Sequence, residues 1–377
     1  MVSKIKVLEL GPGDFGKSGL SVIAWNWYQK FDLEKICVDF LSCTVPDDSY
    51  VECIRRNGGE FYLIDVEGKN IIQRQSGRFF TSRKIAKENK YDCVHIHVSE
   101  AAEAFSFYTA VRPFCKKVII HSHSSGVGCE SSEFTLGAKI KLYIHKFCKK
   151  LIRSRNVVRL ACSDLAGKWM YLPKYDYTII NNGIDMEKFV FNKQARDKIR
   201  SQLKIENKFV VGHIGRFSYQ KNHDFLIEVF DEVYKKNTNA VLLLLGYGEL
   251  EKQIREKIHI LGLDNAVIFY GTASNANEFY QAMDCFVLPS HFEGLPVVAV
   301  EAQTAGLKFL CSDVVTKEAK ITDLLEFMSL SDSAEAWAEK ILSYDDGYER
   351  MDMSAEMKKA GFDIEYSAKQ LEELYFS

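Results

Sequence analysis

The 377-residue sequence predicts an α/β protein built from two doubly wound domains. Short runs rich in β-branched and aromatic residues alternate with longer segments of helical periodicity along the whole chain. Many of these short runs are apolar on both faces, which is typical of parallel strands covered by helices. Such alternation of strand and helix indicates parallel sheets with helices on both sides. At ~100–200 residues per domain, the length accommodates two such sheets.

The predicted strands form two groups separated by a charged segment. The first group is KIKVLEL (4–10), ICVDFLS (36–42), EFYLID (60–65), DCVHIH (92–97), KVIIHS (117–122), VVRLAC (157–162) and YTIINN (177–182). The second group is KFVVGHIG (208–215), AVLLLLG (240–246), AVIFYG (266–271), CFVLPS (285–290), KFLCSD (308–313) and LEFMSL (325–330). Residues 185–208 are the most charged and least strand-like stretch between the groups. We therefore predict a first domain over 1–185 and a second over 186–361.

The composition argues against several classes of protein. The formal net charge of −2 provides no general attraction for nucleic acid. The ten cysteines form no C-x-x-C motif. Most lie in apolar runs, which favours buried reduced thiols over disulfides or zinc ligands; these are Cys37, Cys93, Cys162, Cys285 and Cys311. The longest apolar run, near AVLLLLG, is far shorter than the ~20 residues of a membrane span. The start, MVSKIKVLEL, is too short for a signal peptide, so we expect a cytoplasmic protein.

A glycine-rich loop follows the first predicted strand. Residues 11–18 read G-x-x-x-x-G-K-S, a P-loop pattern, and Gly11, Gly13 and Gly16 also read G-x-G-x-x-G, a dinucleotide-binding pattern. The helix after it places Leu20, Ala24, Trp27 and Phe31 on one face, with Ser18 as a candidate N-cap. Either pattern offers free backbone N–H groups at a positive helix end and predicts an anion site.

The loop alone leaves three interpretations open. A P-loop enzyme needs an acidic residue at a strand end to hold Mg²⁺, and Asp65 fits that pattern. A dehydrogenase needs an acid ~20 residues beyond the glycines, and Asp39 fits approximately. The third interpretation is a tight turn without a ligand.

The second half carries a more specific set of motifs. TIINNGIDMEKF precedes it, and Arg216 and Lys221 then follow one predicted strand within GRFSYQKN. Gly246 and Gly248 follow the next strand, and Glu293 begins EGLPVVAVE, a glutamate pair with E-x7-E spacing. Ligands of open α/β sheets gather at the carboxyl ends of strands, where these residues lie. An arginine and a lysine at this position suit a phosphate ligand.

Taken together, these motifs resemble those of the retaining, nucleotide-sugar-dependent glycosyltransferases of family 4, which have the GT-B fold. GRFSYQKNHDFLIEVF and EAQTAGL are most similar to those of bacterial capsule and exopolysaccharide transferases. The resemblance is strong from about Cys162 onward and weaker before it. It implies two Rossmann-like domains facing across a cleft, with a C-terminal helix (362–377) that crosses back to complete the first domain. Two departures are Lys308, where a proline is usual, and Lys17-Ser18-Gly19, where many members have Gly-Gly.

The resemblance also implies a reaction and a set of roles. A sugar would pass from a nucleoside-diphosphate sugar, expected to be a UDP-sugar, to a glycan or lipid-linked acceptor with retention of configuration. No cofactor is expected, and no metal, because the sequence contains no D-x-D. The implied donor diphosphate ligands are Arg216, Lys221, Gly19, Gly294 and Leu295. Glu301 would hold the ribose, Gly271 and Thr272 would contact the base, and Glu293 and His123 would be catalytic.

Histidines end two successive strands of the first half. His95 and His97 lie in HIH, and His121 and His123 lie in HSH. The resemblance maps the catalytic histidine near His123, with His97 and His121 as acceptor-side candidates. We expect alternate residues of the strand to face opposite ways. His121 and His123 should therefore not be equally able to act as the catalytic histidine, and we favour His123.

Two other functions stay open at this point. One is a P-loop NTPase or kinase that uses Gly11–Ser18. The other is a non-catalytic subunit that binds a sugar nucleotide, although the intact E-x7-E pair argues against it. A glycosidase also uses paired carboxylates, but it does not need Arg216 and Lys221 beside them.

Residues 138–155 form a basic, partly amphipathic segment. Its cations are Lys139, Lys146, Lys149, Lys150 and Arg153. One interpretation is peripheral contact with anionic lipid on the inner face of the membrane. The other is an ordinary solvated helix face, and the sequence leaves both open.

Overall fold

A computed structural model describes residues 4–11, 15, 19–65, 68–69, 71–124, 136–152, 157–273 and 275–377. These residues divide into two compact units. The first contains the described residues up to Ile184 together with Asp363–Ser377, and the second contains Asp185–Phe362.

The first unit contains a parallel seven-stranded sheet with the order β3-β2-β1-β4-β5-β6-β7. Its strands are β1 (Ile5–Leu10), β2 (Ile36–Ser42), β3 (Phe61–Leu63), β4 (Cys93–Val98), β5 (Lys117–Ser122), β6 (Val157–Ala161) and β7 (Thr178–Ile179). Its helices are α1 (Gly19–Tyr28), α2 (Asp48–Arg56), α3 (Ile71–Asn89), α4 (Ala101–Val111), α5 (Leu136–Leu151), α6 (Asp164–Met170) and the C-terminal α15 (Ile364–Phe376).

The second unit contains a parallel six-stranded sheet with the order β10-β9-β8-β11-β12-β13. Its strands are β8 (Phe209–Ile214), β9 (Ala240–Leu245), β10 (Val267–Gly271), β11 (Cys285–Leu288), β12 (Lys308–Ser312) and β13 (Leu325–Met328). Its helices are α7 (Met186–Phe189), α8 (Lys193–Leu203), α9 (His223–Lys236), α10 (Glu251–Ile260), α11 (Ala276–Ala282), α12 (Val297–Thr304), α13 (Ala334–Leu342) and α14 (Ser354–Lys359). The predicted pair of doubly wound parallel sheets is confirmed.

Both sheets contain a topological switch point. The strand order reverses beside the first strand of each sheet, so that β1 lies between β2 and β4, and β8 lies between β9 and β11. Loops after these neighbouring strands leave the sheet in opposite directions and open a crevice at the carboxyl edge. The predicted ligand-binding residues follow these strands in each unit.

The C-terminal helix packs on the first unit. Trp27 of α1 donates from its indole Nε1 to Ser367 Oγ of α15 at 2.9 Å, in a buried contact. Gly183, within the N-G-I-D motif, lies against the start of this helix. A Cβ at Gly183 would come within 2.6 Å of Ser367 Oγ and 2.8 Å of the Asp363 carbonyl oxygen. The glycine of the motif therefore permits the close approach of α15 to its own unit.

Candidate functional site

An ion pair between Lys221 and Glu293 lies at the carboxyl edge of the second sheet. Lys221 ends a 3-10 turn (Tyr219–Lys221) after β8, and Glu293 lies in the loop between β11 and α12. Lys221 Nζ is 2.7 Å from Glu293 Oε1, and Glu293 is 6% exposed. A charge pair removed from water is favourable only when its remaining polar atoms also have partners.

Two neighbouring side chains bind the Glu293 carboxylate. Ser290 Oγ donates to Oε1 at 2.9 Å, and Gln220 Nε2 donates to Oε2 at 2.9 Å. Gln220 also donates to the Phe292 carbonyl at 3.2 Å. These bonds fix the plane of the carboxylate, and those of Gln220 join the loop after β8 to the loop after β11. The sequence pattern did not identify Gln220 or Ser290, although each lies within three residues of a predicted site residue.

Arg216 follows the same strand as Lys221 but contacts a different carboxylate. Its Nε lies 3.2 Å from Glu249 Oε2, and both side chains are more than half exposed. Exposed pairs of this kind contribute little free energy. Arg216 can therefore leave Glu249 and bind a more highly charged anion at a small cost in free energy.

Glu301 lies in α12 and is held by a buried tyrosine of α11. Tyr280 donates its hydroxyl to Glu301 Oε2 at 2.6 Å. Burial raises the pKa of Glu301 to about 7, although the Tyr280 hydrogen bond and the charge of Lys221 both oppose this shift. Near neutral pH this carboxyl group therefore changes between its charged and neutral forms. Tyr280 is a third residue that the sequence pattern did not identify.

The loops after β8, β9 and β10 pack backbone against backbone. Gly215 N–H donates to the Leu245 carbonyl at 2.9 Å, and Gly246 N–H donates to the Gly271 carbonyl at 2.8 Å. Gly246 has a φ of 144°, and a Cβ there would overlap the Gly215 carbonyl oxygen. Only glycine fits at Gly246. The predicted base-contacting pair, Gly271 and the exposed Thr272, lies at the end of β10 in this assembly.

The loop after β11 leads into helix α12. Pro296 is its N-cap, with φ −70° and ψ 120°, and Val297 is the first helical residue. The extended ψ of Pro296 places it outside the helix. Gly294 and Leu295, predicted diphosphate ligands, are buried in the approach to this N-terminus.

The strand-end histidines of the first unit form one cluster. The expectation that His121 and His123 face opposite ways was wrong, because residues two apart on a strand share a face. Their ring centroids are 4.2 Å apart, and those of His95 and His97 are 4.1 Å apart. His123 is the one partly exposed member of the four.

Glu9 of β1 and Tyr375 of α15 complete this cluster. Glu9 Oε2 is 2.5 Å from His97 Nε2, and the Tyr375 hydroxyl donates to Glu9 Oε1 at 2.6 Å. His97 Nδ1 is 3.1 Å from His123 Nε2. Glu9 could have been found as the one charged residue inside the apolar run VLEL, whereas Tyr375 has no comparable signal.

Burial determines the charge states in the cluster. It lowers the pKa of His97 to about 4, with His95 adding to this shift and Glu9 opposing it. Burial also lowers the pKa of His121 and of His123 well below the usual 6.5. Burial disfavours ionisation of Glu9, but His95 and His97 outweigh it and lower the pKa of that carboxyl. At pH 7, His97, His121 and His123 are neutral beside an ionised Glu9.

The acidic residues of the two rival loop interpretations are engaged elsewhere. Asp39 is buried and accepts hydrogen bonds from the Tyr91 hydroxyl at 2.5 Å and from the Glu60 N–H at 2.8 Å. Asp65 is exposed and pairs with Lys69 at 2.5 Å. Of the loop itself, residues 12–14 and 16–18, including Lys17 and Ser18, lie outside the described residues. Gly19, a predicted diphosphate ligand, is the exposed first residue of α1.

Helix α5, which contains most of the basic segment, is anchored by His145. The His145 ring stacks on Trp169 with centroids 3.9 Å apart and accepts a hydrogen bond from Ala101 N–H. Lys149, predicted on the outer basic face, instead donates inward to the Trp169 carbonyl at 2.8 Å. That placement was wrong because Lys149 lies on the turn that follows His145, on the packed side. Arg153 lies outside the described residues.

The outer face of α5 is apolar as well as basic. Four large side chains at helical spacing are 43–73% exposed: Ile140, Tyr143, Ile144 and Phe147. Lys139, Lys141 and Lys146 are exposed beside them. Among the helices that the structure describes, none combines the length and apolar character that crossing a bilayer requires.

Comparison with other proteins identifies the class of enzyme. Residues 195–361 match the family described as "Glycosyl transferases group 1". A Bacillus subtilis protein named as a glycosyltransferase, EpsF, is 29% identical over 347 residues, which cover 90% of this chain and 87% of EpsF. An Escherichia coli UDP-Gal:alpha-D-GlcNAc-diphosphoundecaprenol alpha-1,3-galactosyltransferase is 28% identical over 242 residues, covering 61% of this chain and 60% of that enzyme.

The fold is also found in solved structures. Anabaena HepE in complex with UDP-glucose superposes with a TM-score of 0.73 at 17% identity, over 98% of this chain and 99% of that one. Residues 195–361 are thus a group 1 glycosyl transferase domain. The chain is thus a glycosyltransferase with a group 1 domain and the GT-B fold.

The buried histidines predict an acid-sensitive first unit. Unfolded histidines titrate near pH 6.5, so the stability that neutral His97 contributes is complete above that pH and is lost as the pH falls toward 4. At pH 5 the loss from His97 alone is about 2 kcal/mol. Thermal unfolding should therefore begin several degrees lower at pH 5 than at pH 7.5. His97→Asn should reduce this difference, whereas exposed His259→Asn should not. An onset temperature that is independent of pH would contradict the assignment of neutral buried imidazoles.

Proposed function

We propose that this glycosyltransferase moves a sugar from a UDP-sugar to a glycan or lipid-linked acceptor in surface polysaccharide synthesis, with retention and without a metal ion. The observation that carries the proposal is the Glu293–Glu301 pair, one carboxylate bound to Lys221 and the other to Tyr280 at the same sheet edge. The names of the relatives support the donor and the pathway, since they include a UDP-galactose-dependent transferase and a capsular polysaccharide biosynthesis enzyme of Staphylococcus aureus. The P-loop NTPase and the non-catalytic subunit have no such support.

The donor diphosphate binds, on this proposal, where Arg216 and Lys221 follow β8. Its phosphates carry about two negative charges, and Arg216 is held only by an exposed partner that it can release. Lys221 contributes a second cation from a partly buried position. The amides of Gly294 and Leu295 lead into the N-terminus of α12, which favours an anion. These positive groups stabilise the negative charge of the diphosphate, as Mg²⁺ does in metal-dependent transferases.

The two glutamates have different partners in this mechanism. Glu301 accepts hydrogen bonds from the ribose hydroxyls with the oxygen that Tyr280 does not occupy. Glu293, fixed by Ser290 and Gln220, binds hydroxyls of the transferred sugar. His123 of the first unit binds the same sugar. None of these side chains acts as a nucleophile.

The chemical step needs only the two substrates and a charged site. The bond between the sugar C1 and the diphosphate oxygen breaks, and the acceptor oxygen forms the new bond to C1 on the same face. The acceptor proton passes to the departing diphosphate. Stabilisation of the growing negative charge on this diphosphate is the main catalytic contribution.

We further propose that α5 docks the enzyme on the cytoplasmic face of an anionic membrane. Exposed apolar side chains between lysines are typical of helices that lie in the lipid interface. Ile140, Tyr143, Ile144 and Phe147 form such a stripe, with Lys139 and Lys146 beside it. A lipid-linked acceptor would be reached from this position.

Substitutions in the site should separate diphosphate binding from sugar transfer. Arg216→Ala and Glu301→Ala should weaken UDP binding roughly ten- to a hundredfold, since loss of a charged hydrogen-bonding partner costs ~1.5–3 kcal/mol. Glu293→Gln and His123→Ala should retain UDP affinity and lose transfer. Calorimetry and transfer rates measure both quantities. Glu249→Ala is the matched control, because it frees Arg216 and should leave UDP affinity equal or higher. Loss of UDP affinity in His123→Ala would remove His123 from its proposed role.

The raised pKa of Glu301 predicts that donor affinity increases with pH. Because the charged form accepts stronger hydrogen bonds from the ribose hydroxyls than the neutral acid does, UDP-glucose should bind more tightly at pH 8 than at pH 6, by up to roughly tenfold. The two phosphates of UDP-glucose remain singly charged over this range, so the ligand itself does not titrate. Tyr280→Phe should move the midpoint to higher pH, and Glu301→Gln should abolish the dependence. A flat profile in the parent enzyme would contradict the role of Glu301.

The α5 surface predicts binding to anionic vesicles at low salt. The double variant Lys139→Glu/Lys146→Glu should lower the partition coefficient at least tenfold, since each cation near the surface contributes roughly 1 kcal/mol. Tyr143→Gln/Phe147→Gln should weaken binding at every salt concentration. Phe80→Gln, at an aromatic residue of α3 that is 66% exposed, is the matched control and should have no effect. Vesicle sedimentation that is unchanged in both double variants would identify α5 as an ordinary solvated helix.

A further inference from the structure

The Glu9 carboxylate anchors two branches of hydrogen bonds inside the first unit. One branch runs through His97 to His123, with contacts of 2.5 Å and 3.1 Å. The other runs through the Tyr375 hydroxyl to His95 and then to His121, with contacts of 2.6, 2.7 and 3.2 Å. Glu9, His95, His97 and His121 are each at most 2% exposed.

These contacts determine which nitrogen of each ring in the first branch carries the proton. An ionised carboxylate only accepts hydrogen bonds, so His97 must donate from Nε2 to Glu9. A neutral imidazole has one N–H, which leaves His97 Nδ1 as an acceptor. His123 must then donate from Nε2 to His97 Nδ1. The proton of His123 therefore lies on Nε2, and its Nδ1 carries a lone pair.

The remaining nitrogen of His123 has no protein partner among the described residues. Its Nδ1 is shielded from solvent and unpaired there, although the side chain as a whole is partly exposed. Buried polar atoms nearly always have a hydrogen-bond partner, and one without a partner calls for an explanation. A bare imidazole nitrogen is complemented by a hydrogen-bond donor, and a hydroxyl group of a ligand is such a donor.

We propose that Glu9, acting through His97, fixes His123 in the Nε2–H tautomer so that Nδ1 accepts a hydrogen bond from a hydroxyl of the donor sugar. Glu9 and His97 are positioning residues, because they act on His123 and not on the substrate. The sugar contact rests on the proposed function of His123, whereas the tautomer rests only on the contacts within the first unit. In the opposite tautomer, Nδ1 would present a donor and reject a ligand that offers its hydroxyl hydrogen.

A metal ion is the competing explanation of the cluster. Ligand nitrogens of His95, His97 and His121 lie within 4.8 Å of one another, which suits a shared ion geometrically. A metal bound through His97 would take the place of either the Nε2 proton that faces Glu9 or the Nδ1 lone pair that faces His123. The two interpretations therefore predict different protonation of the same nitrogens.

Imidazole ¹⁵N chemical shifts test the tautomer directly in the full chain. Protein labelled with ¹⁵N-histidine should show His123 and His97 each protonated at Nε2 and bare at Nδ1 at pH 7.5. His123→Gln and His97→Asn assign the signals. A proton on His123 Nδ1, or zinc found in one-to-one ratio by elemental analysis, would overturn the proposal. Tyr375→Phe, which removes one hydrogen bond to Glu9 but keeps the contact between Glu9 and His97, should leave the His123 signals unchanged.

Substitution of His97 by Asn or by Leu, which match each other in shape, tests how the His123 tautomer affects turnover. Asn Oδ1 can replace His97 Nδ1 as the acceptor of the His123 N–H, whereas Leu of the same shape cannot. Both variants lose the contact with Glu9 equally. His97→Asn should keep the His123 tautomer and turn over a UDP-hexose about tenfold faster in kcat than His97→Leu, the equivalent of one lost hydrogen bond. UDP affinity should be equal in both.

The outcomes distinguish control of the His123 tautomer by Glu9 and His97 from the role of His123 in sugar transfer. Equal kcat in His97→Asn and His97→Leu, with the His123 tautomer lost only in His97→Leu, would refute the positioning role. Full turnover by His123→Ala would refute the proposed function of His123 and leave the measured tautomer standing. A His123 tautomer that is the same in His97→Leu as in the parent would show that Glu9 and His97 do not control it.

Discussion

The contact between Lys221 and Glu293 holds the second unit's site together. Parallel strands deliver their loops to one edge of a sheet, but nothing in the sheet itself fixes those loops relative to each other. The ion pair and the hydrogen bonds of Gln220 connect the loop after β8 to the loop after β11. Helix α12, which carries Glu301, begins four residues after Glu293. A buried pair of this kind is costly to break from one side, because the remaining charge would be unpaired.

The first unit also contains a buried carboxylate held by hydrogen-bonding partners, although the residues differ. Glu9 is a buried carboxylate whose lone pairs are satisfied by His97 and Tyr375, so it can remain ionised within an apolar sheet. In each unit a buried carboxylate is held by two partners from other elements, Lys221 and Gln220 for Glu293, and His97 and Tyr375 for Glu9. Such preorganisation makes a site selective, since its polar groups need not reorient when the substrate arrives.

The fold was readable from the sequence because buried parallel strands leave a strong pattern. Runs such as AVLLLLG must be apolar on both faces, and no local rule competes with that requirement. Site residues named from motifs also lie at the expected strand ends, as Arg216, Lys221 and Glu293 do. The roles of those residues remain predictions.

The partners of those residues could not be read in the same way. Tyr280 is 21 residues from Glu301, and Tyr375 is 366 residues from Glu9, so only tertiary packing brings them together. The orientation of Lys149 depends on which face of α5 packs against the rest of the unit. Its charge alone indicated an outward position, which was wrong. The error over His121 and His123 had a different origin. Residues two apart on a strand face the same side, whereas we expected these two to face opposite sides.

The most direct test is the fate of a UDP-hexose with the purified enzyme in excess EDTA. Proton NMR can follow the first sugar product, or the slow hydrolysis product when no acceptor is present, before its anomers equilibrate. The account predicts release of UDP with the anomeric configuration of the donor retained, at a rate that EDTA does not change and that Glu293→Gln abolishes. Inverted product, strict dependence on a divalent metal, or equal turnover by Glu293→Gln would contradict it.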